Sequence, residues 1–144
     1  MADETAAGFS QGKLKVRLVT PERILIDTDA SSVTLPGTAG VLEALPGAAP
    51  LLTAIGAGDL IIGGAQGGDQ RFIVARGFAE VLPDRVTVLA EYAVKPEEVD
   101  KGAAEQQLKD GQKLESDAGD DPRKYAAARE TVLEAEAKLG TPGQ

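Results

Sequence analysis

The chain is 144 residues long, contains neither cysteine nor histidine, and carries a formal net charge of −8 at pH 7. The absent cysteines exclude disulfides and thiolate metal sites, and the absent histidines exclude imidazole ligands and a Ser-His-Asp triad. We therefore expect no metal site and no cofactor, and the usual tools of an enzyme are missing. The negative charge also argues against nucleic acid as a partner.

No stretch of the sequence approaches the roughly 18 consecutive apolar residues of a membrane span, so we expect no direct insertion into lipid. The first residues are acidic and lack the basic-then-apolar pattern of a signal peptide, which predicts a chain that stays in the cytosol. Aromatic residues make up only 3% of the sequence, so the core is expected to consist of Val, Leu, Ile and Ala.

Alternating apolar and polar residues predict strands over the first two thirds of the chain. Leu14, Val16 and Leu18 alternate with basic residues, which is the period-two pattern of a half-buried strand. Further strands are predicted at residues 23–27, 31–35, 41–45, 59–63, 70–76, 78–82 and 85–90. A Gly-rich segment at 63–69 and the pair Pro83-Asp84 predict hairpin turns. Such spacing is typical of a β-sandwich or flattened barrel of about 8–10 short strands.

Two Pro-Gly pairs, Pro36-Gly37 and Pro46-Gly47, predict tight turns on either side of the segment 41–45. Proline fixes φ near −65°, and the glycine after it accepts the positive φ that a tight turn needs. The region is therefore expected to be rigid although it is a loop. Its small side chains suit docking against another protein better than catalysis.

The composition changes at residues 95–96, beyond which Ala, Glu, Gln, Lys and Leu dominate. Pro96, followed by two glutamates, predicts the start of a first helix. Asp121-Pro122 predicts the N-cap of a second helix that ends at about Leu139, before Gly140. One apolar stripe is predicted on the second helix, formed by Tyr125, Ala128, Val132, Ala135 and Leu139.

The elements together predict a mainly β N-terminal sandwich followed by a C-terminal two-helix hairpin. We expect a flexible arm at 1–12, the β-sandwich at 13–93, the helical hairpin at 94–140 and a tail at 141–144. The hairpin has a thin apolar seam and is expected to be marginally stable alone.

Three motifs along the β region carry a family resemblance. Residues 19–23 read V-T-P-E-R, residues 40–54 read G-V-L-E-A-L-P-G-A-A-P-L-L-T-A, and residues 77–81 and 86–91 read G-F-A-E-V and V-T-V-L-A-E. They resemble the ε subunit of bacterial F-type ATP synthases, called δ in mitochondria, whose members commonly read G-E-L-G-I-L-P-G-H-A-P-L-L-T-A-L. The resemblance implies that the structural motif includes Pro50, Leu51, Leu52, Gly77, Phe78, Glu80, Val86 and Val88.

The resemblance implies a non-catalytic rotor subunit of the central stalk, which links the γ subunit to the c-ring and couples proton transport to ATP synthesis. It implies a peripheral position on the cytoplasmic face of the bacterial plasma membrane. It also implies that the helical hairpin contacts the α and β catalytic subunits transiently and regulates ATP hydrolysis.

A contact loop for the c-ring and γ is implied by the same resemblance. It comprises Thr38, Ala39, Gly40 and Val41 together with Pro46, Gly47, Ala48 and Ala49. The family's acidic residue after the first glycine is Val41 here, and its histidine is Ala48. We therefore expect this loop to dock by shape and apolar contact more than by charge.

ATP-binding members of the family carry I/L-D-x-x-R-A at the start of the hairpin, where this chain reads V-D-K-G-A-A at 99–104. Asp100 and Ala104 fit this pattern, but Ala103 replaces the arginine. Arg123 and Arg129 on the second helix are the candidate substitutes for the missing guanidinium. We expect weak or no ATP binding.

Two other classes of function remain open from the residues alone. A β-sandwich hydrolase could use a carboxylate pair drawn from Asp27, Glu43, Asp59 and Glu80, although we expect none of them to lie in the aromatic-rich cleft that sugar sites usually have. A free-standing binding module with a helical dimerisation tail is the second alternative.

Overall fold

The computed structural model describes residues 12–140, so the expected arm, apart from Gly12, and the tail lie outside the described residues. The chain divides between Ala93 and Val94 into two compact units. The first contains β1 (Leu14–Val19), β2 (Ile24–Ala30), β3 (Ser32–Gly37), β4 (Gly40–Ala44), β5 (Leu51–Ile55), β6 (Gly58–Gly63), β7 (Gln70–Leu82) and β8 (Arg85–Val94). The second contains a 3₁₀ turn (Pro96–Glu98), α1 (Lys101–Asp117) and α2 (Pro122–Leu139).

The eight strands follow the order β2-β1-β8-β7-β5-β3-β4, and β6 pairs with both β3 and β7. β1 and β8 run parallel, while β1 is antiparallel to β2 and β3 is antiparallel to β4, β5 and β6. The first part of β7 pairs with β6 and the second part with β5. The strands therefore form the predicted β-sandwich, which is confirmed together with its number of strands.

The core of the β unit is aliphatic, as the composition predicts. Its largest fully buried members include Leu14, Leu18, Leu35, Leu60, Ile62, Val16, Val33, Val74, Val86 and Val88. Phe72 is the single aromatic residue in this cluster among the residues that the structure describes. Alternation along each strand supplies these side chains, because successive residues point to opposite faces.

The segments 70–76 and 78–82 are one continuous strand, β7, and the expectation of two strands is wrong. Arg76 adopts a φ of +57°, which is uncommon for a residue with a side chain. Before it Phe72 and Val74 point into the core, and after it Ala79 and Val81 do so. The core-facing residues therefore have even numbers before Arg76 and odd numbers after it. In the sequence, this break in the alternation looks like the end of one strand and the start of another.

Two further details of the β unit differ from expectation. Pro36 and Gly37 are the last residues of β3, and the turn follows them at residues 38–39. Proline has no amide hydrogen to donate to a neighbouring strand, and this end of β3 tolerates its absence. The Pro36 carbonyl accepts a hydrogen bond from the Gly56 amide at 2.8 Å.

The segment 51–55 forms β5, which the sequence shows only as an apolar run without alternation. Pro46-Gly47 does form a turn, with the Ala48 amide donating to the Leu45 carbonyl at 3.1 Å.

The first helix begins five residues later than predicted. Pro96–Glu98 forms a separate 3₁₀ turn, and α1 starts at Lys101 after Asp100, whose carboxylate accepts a hydrogen bond from the Ala103 amide at 3.1 Å. Aspartate is a strong N-cap, and this cap sets the start of α1.

The second helix begins and ends as predicted. Asp121 Oδ1 accepts from the amides of Arg123 and Lys124, Pro122 is the first helical residue, and Gly140 ends α2 with a φ of +66°.

The seam between α1 and α2 is made of small residues. Ala104 and Gly111 of α1 are buried, as are Ala128, Val132 and Ala135 of α2. A Cβ on Gly111 would lie 2.8 Å from Val132 Cγ2, so the two helices approach closely there. Because little space remains, the bulky Tyr125 lies outside the seam and is 51% exposed, and its place in the predicted stripe is wrong.

Gly77→Ala is expected to destabilise the β unit strongly. A Cβ at this position would lie 1.8 Å from the Leu89 carbonyl oxygen of β8, so the two strands would have to move apart. Overpacking of this kind costs about 3 kcal/mol. Urea unfolding followed by far-UV circular dichroism measures the loss.

Gly102→Ala is the matched control, because the nearest atom to its Cβ is Asp100 Oδ1 at 3.5 Å. Alanine there should stabilise α1 by up to about 1 kcal/mol. Equal unfolding midpoints for the two variants would show that Gly77 is not required for close packing.

Candidate protein-docking surfaces

The hairpin between β3 and β4 presents four exposed residues, Thr38 to Val41, here called the β3–β4 tip. Its backbone is held in place, since the Thr38 amide donates to the Ala54 carbonyl of β5 at 3.1 Å. Gly40 has a φ of +135°, which glycine adopts without strain. Val41 is 77% exposed, the highest value among the exposed large apolar residues of the described chain. The tip is thus a rigid, uncharged and partly apolar projection.

The second part of the expected contact loop lies elsewhere. Residues 46–49 follow the other end of β4, and five residues of strand span about 17 Å. The Gly47 amide donates to the Pro83 carbonyl at 2.7 Å, beside the β7–β8 turn, and Ala48 packs against the core. The structure therefore does not bring the 46–49 turn next to the tip.

One outer face of the sandwich carries an apolar stripe that crosses five strands. We define the apolar stripe as Ile24, Val19, Leu89, Phe78, Ala54 and Leu52. Strand register places Val19 opposite both Ile24 and Leu89, and places Ala54 opposite Phe78. The part of the stripe on β2, β1 and β8 meets the part on β7 and β5 because β7 and β8 are neighbouring strands. Gly77 of β7 lies against the backbone of Leu89 of β8.

The large members of the stripe are exposed to solvent. Phe78 is 57% exposed, Leu89 53%, Ile24 54% and Leu52 70%. Contiguous exposed apolar side chains of this size are uncommon on a monomer and mark interaction sites. The stripe also reaches the tip, because Ala54 at its end accepts the hydrogen bond from Thr38. Tip and stripe therefore lie next to each other on the β unit.

Charged residues beside the stripe neutralise one another. Arg17 lies 2.8 Å from Asp27, Lys15 3.9 Å from Asp29, and Arg76 3.2 Å from Glu91. These pairs are exposed, so each adds little to stability. These three pairs carry no net charge, which favours recognition of this part of the face through apolar contact.

The motif residues divide between interior and surface. Val86 and Val88 are buried, Gly77 allows the close approach of β7 and β8, and Glu80 lies outward opposite Leu52. Pro50 and Leu51 are exposed. Sequence reasoning did not single out Ile24, Val19 or Leu89 as surface residues. The signal for Leu89 was present, because the inward Val86, Val88 and Ala90 require it to point outward.

The residues of the nucleotide motif do not converge. Asp100 caps α1 through the Ala103 amide, Ala103 itself is exposed, and Ala104 is buried. Arg129 pairs with Glu115 near the far end of α1 at 3.3 Å, and Arg123 lies in the first turn of α2. A helix of 17 residues separates these arginines from Asp100 by about 25 Å.

The four carboxylates proposed for a hydrolase do not form a pair. They lie on four different strands, and strand register sets Asp27 opposite Arg17, Glu43 opposite Thr34, Asp59 opposite Ile73 and Glu80 opposite Leu52. Asp27 and Asp59 are each bound to an arginine. Within residues 12–140 no cluster of three or more acidic residues could hold a metal ion.

The helices of the described region give no candidate for a membrane span, since none is both long and apolar enough.

Comparison with known proteins places the chain in a family. The model of the ATP synthase delta/epsilon chain β-sandwich domain matches residues 13–96. An ATP synthase epsilon chain of Solibacter usitatus is 40% identical over 131 residues, which are 89% of this chain and 94% of the relative. An ATP synthase epsilon chain of a Synechococcus strain is 41% identical over 114 residues, 79% of this chain and 82% of the relative.

Solved structures share the fold. A chain in the Euglena gracilis mitochondrial ATP synthase, determined with OSCP, F1 and c-ring, aligns with a TM-score of 0.74 and 16% identity over 90% of this chain and 81% of that one. A chain of the Tetrahymena thermophila central stalk and c-ring aligns with a TM-score of 0.56 and 17% identity over 89% of this chain and 96% of that one. At these identities the likeness shows the fold alone. The family match and the relatives at 40% and 41% identity show that the chain belongs to the ATP synthase delta/epsilon family, as a non-catalytic subunit of the central stalk.

Proposed function

We propose that this chain binds the γ subunit through the apolar stripe and the c-ring through the β3–β4 tip, and so transmits rotation between the two. The observation that carries this proposal is that stripe and tip are adjacent, joined by the Thr38–Ala54 hydrogen bond. The structural neighbours support it, since the Euglena gracilis chain belongs to an assembly with F1 and the c-ring, and the Tetrahymena thermophila chain to one of central stalk and c-ring. Coupling of proton transport to ATP synthesis is the role that follows from such a link.

The stripe suits a permanent partner because it is apolar and rigid. It lies on paired strands, so docking orders little backbone and loses little conformational entropy. Burying apolar surface contributes about 25 cal/mol per Å², and four half-exposed large side chains offer several hundred Å² for this purpose. The balanced ion pairs around it would stay in water at the rim of the interface.

The tip suits a contact made by shape. It has no ionisable side chain, and its small residues allow a partner backbone to approach closely. In a rotating assembly such a contact transmits force only if it is stiff, and the Thr38–Ala54 hydrogen bond provides that stiffness. The 46–49 turn, about 17 Å away, would instead support the sandwich from the other end of β4.

We further propose that the chain sits peripherally on the cytoplasmic face of the bacterial plasma membrane, attached through the c-ring rather than through lipid. The helical hairpin would contact the α and β catalytic subunits only transiently. From Pro96 onward the sequence has 12 acidic and 7 basic residues, a net charge of −5. This charge would oppose insertion of the hairpin beside any acidic segment of a partner, and so would limit inhibition of ATP hydrolysis by the hairpin.

Phe78→Glu should weaken binding to purified γ at least tenfold, because a carboxylate would be buried in an apolar interface. Isothermal titration calorimetry of the full chain against γ measures this. Leu114→Glu is the matched control, since Leu114 on α1 is 54% exposed against 57% for Phe78. Equal losses in the two variants would contradict a γ contact at the stripe.

Val41→Lys should lower ATP synthesis several-fold at a fixed proton gradient in reconstituted enzyme, because a charged side chain would disturb an apolar contact with the ring. ATP hydrolysis by the detached catalytic part should not change. Gln66→Lys adds the same charge in the exposed β6–β7 loop and serves as the control. Unchanged coupling with Val41→Lys would rule out the tip as the ring contact.

Titration of the full chain with ATP should show no micromolar affinity, because the Asp100 carboxylate is engaged in a cap and neither Arg123 nor Arg129 lies beside it. Ala103→Arg restores a guanidinium next to this position and should raise the affinity. Micromolar binding of ATP by the unchanged chain in calorimetry would contradict the inference that Asp100, Arg123 and Arg129 form no nucleotide site.

A further inference from the structure

Glu134 on α2 is the one buried charged residue in the part of the chain that the structure describes, at 6% exposure. A buried carboxylate needs a charged partner and hydrogen bonds, or its desolvation is very costly. Lys138 Nζ lies 2.9 Å from Glu134 Oε2, and Gln107 Nε2 of α1 donates to the same oxygen at 3.1 Å. Lys138 Nζ also donates to Gln107 Oε1 at 2.8 Å, so the three side chains close a ring. We call this ring the polar clasp.

The rest of the seam specifies the pairing of the helices mainly at one place, where Val132 packs closely against Gly111. Ala104, Ala128 and Ala135 are small and constrain the pairing less. The polar clasp differs, because Gln107 must meet both the carboxylate and the ammonium group at once. Buried polar groups can set the register of packed helices in this way.

The position of the clasp strengthens its effect. Residues 118–121 connect the helices at one end, where Glu115 and Arg129 also pair across the seam. The clasp lies toward the other end, because Lys138 is the penultimate residue of α2. That end has no covalent link between the helices, so it is where a hairpin would open.

We propose that Gln107, Glu134 and Lys138 form a latch that holds α1 and α2 closed in a single register. Loss of one charged member removes the ion-pair contact of the other and weakens the link through Gln107, so the helices separate more readily. The latch does not depend on the partners proposed above.

Lys138→Met in the full chain tests the latch, because it keeps most of the side-chain length and removes the cation. Hydrogen–deuterium exchange should quicken at least tenfold for amides in α1 and α2, with the β unit unchanged. Arg129→Met is the matched control, since it removes the cation of the Glu115–Arg129 pair, which joins α1 to α2 and whose arginine side chain is 46% exposed against 16% for Lys138. It should change exchange less than twofold. Equal effects, or none with Lys138→Met, would overturn the proposal.

A double variant, Glu134→Leu with Lys138→Met, separates register from stability. Apolar replacement of a buried ion pair is often neutral, so exchange should remain slow. The chain has no cysteine, so spin labels can be attached at Lys109→Cys and Leu133→Cys, which are exposed positions on the two helices. Pulsed electron resonance should give one distance with the clasp and more than one without it. A single unchanged distance in the double variant would overturn the role in register.

Discussion

The change of face within β7 is the constraint on which the β unit depends. Arg76 adopts a positive φ, and Gly77 then passes within contact of the β8 backbone. Because of this irregularity a single strand can pair with β6 in its first part and with β5 in its second. Both layers of the sandwich are thereby tied to one strand. Any other side chain at Gly77 would separate β7 from β8 and weaken that tie.

The same change of face also sets the character of the surface. Had the even-numbered positions stayed inward after Arg76, Phe78 would enter the core and Ala79 would face solvent. The observed register instead turns Phe78 outward beside Leu89, in line with residues of β1, β2 and β5. An apolar stripe thus results from the backbone conformation of one residue. The stripe ends at Ala54, where the hydrogen bond from Thr38 connects it to the β3–β4 tip.

The helical unit is built on a different principle. Its seam is made of alanine, glycine and valine, which bury little apolar area, and two capping aspartates fix where the helices start. A buried ion pair of α2 contacts a glutamine of α1 across this seam. The pairing of the helices therefore depends on these three polar side chains together with the close packing of Val132 against Gly111.

The sequence by itself determined the order of the elements, the aliphatic core, the second helix with its caps, and the family through three motifs. These features depend on local periodicity, on proline and aspartate at helix starts, and on residue types that act over a few positions. The tertiary structure alone decided that 70–82 is one strand, that the 38–41 tip and the 46–49 turn are far apart, and that Asp100 lies remote from Arg123 and Arg129. Strand pairing and helix direction set those distances, and both arise from contacts between residues far apart in the chain, which local patterns do not encode.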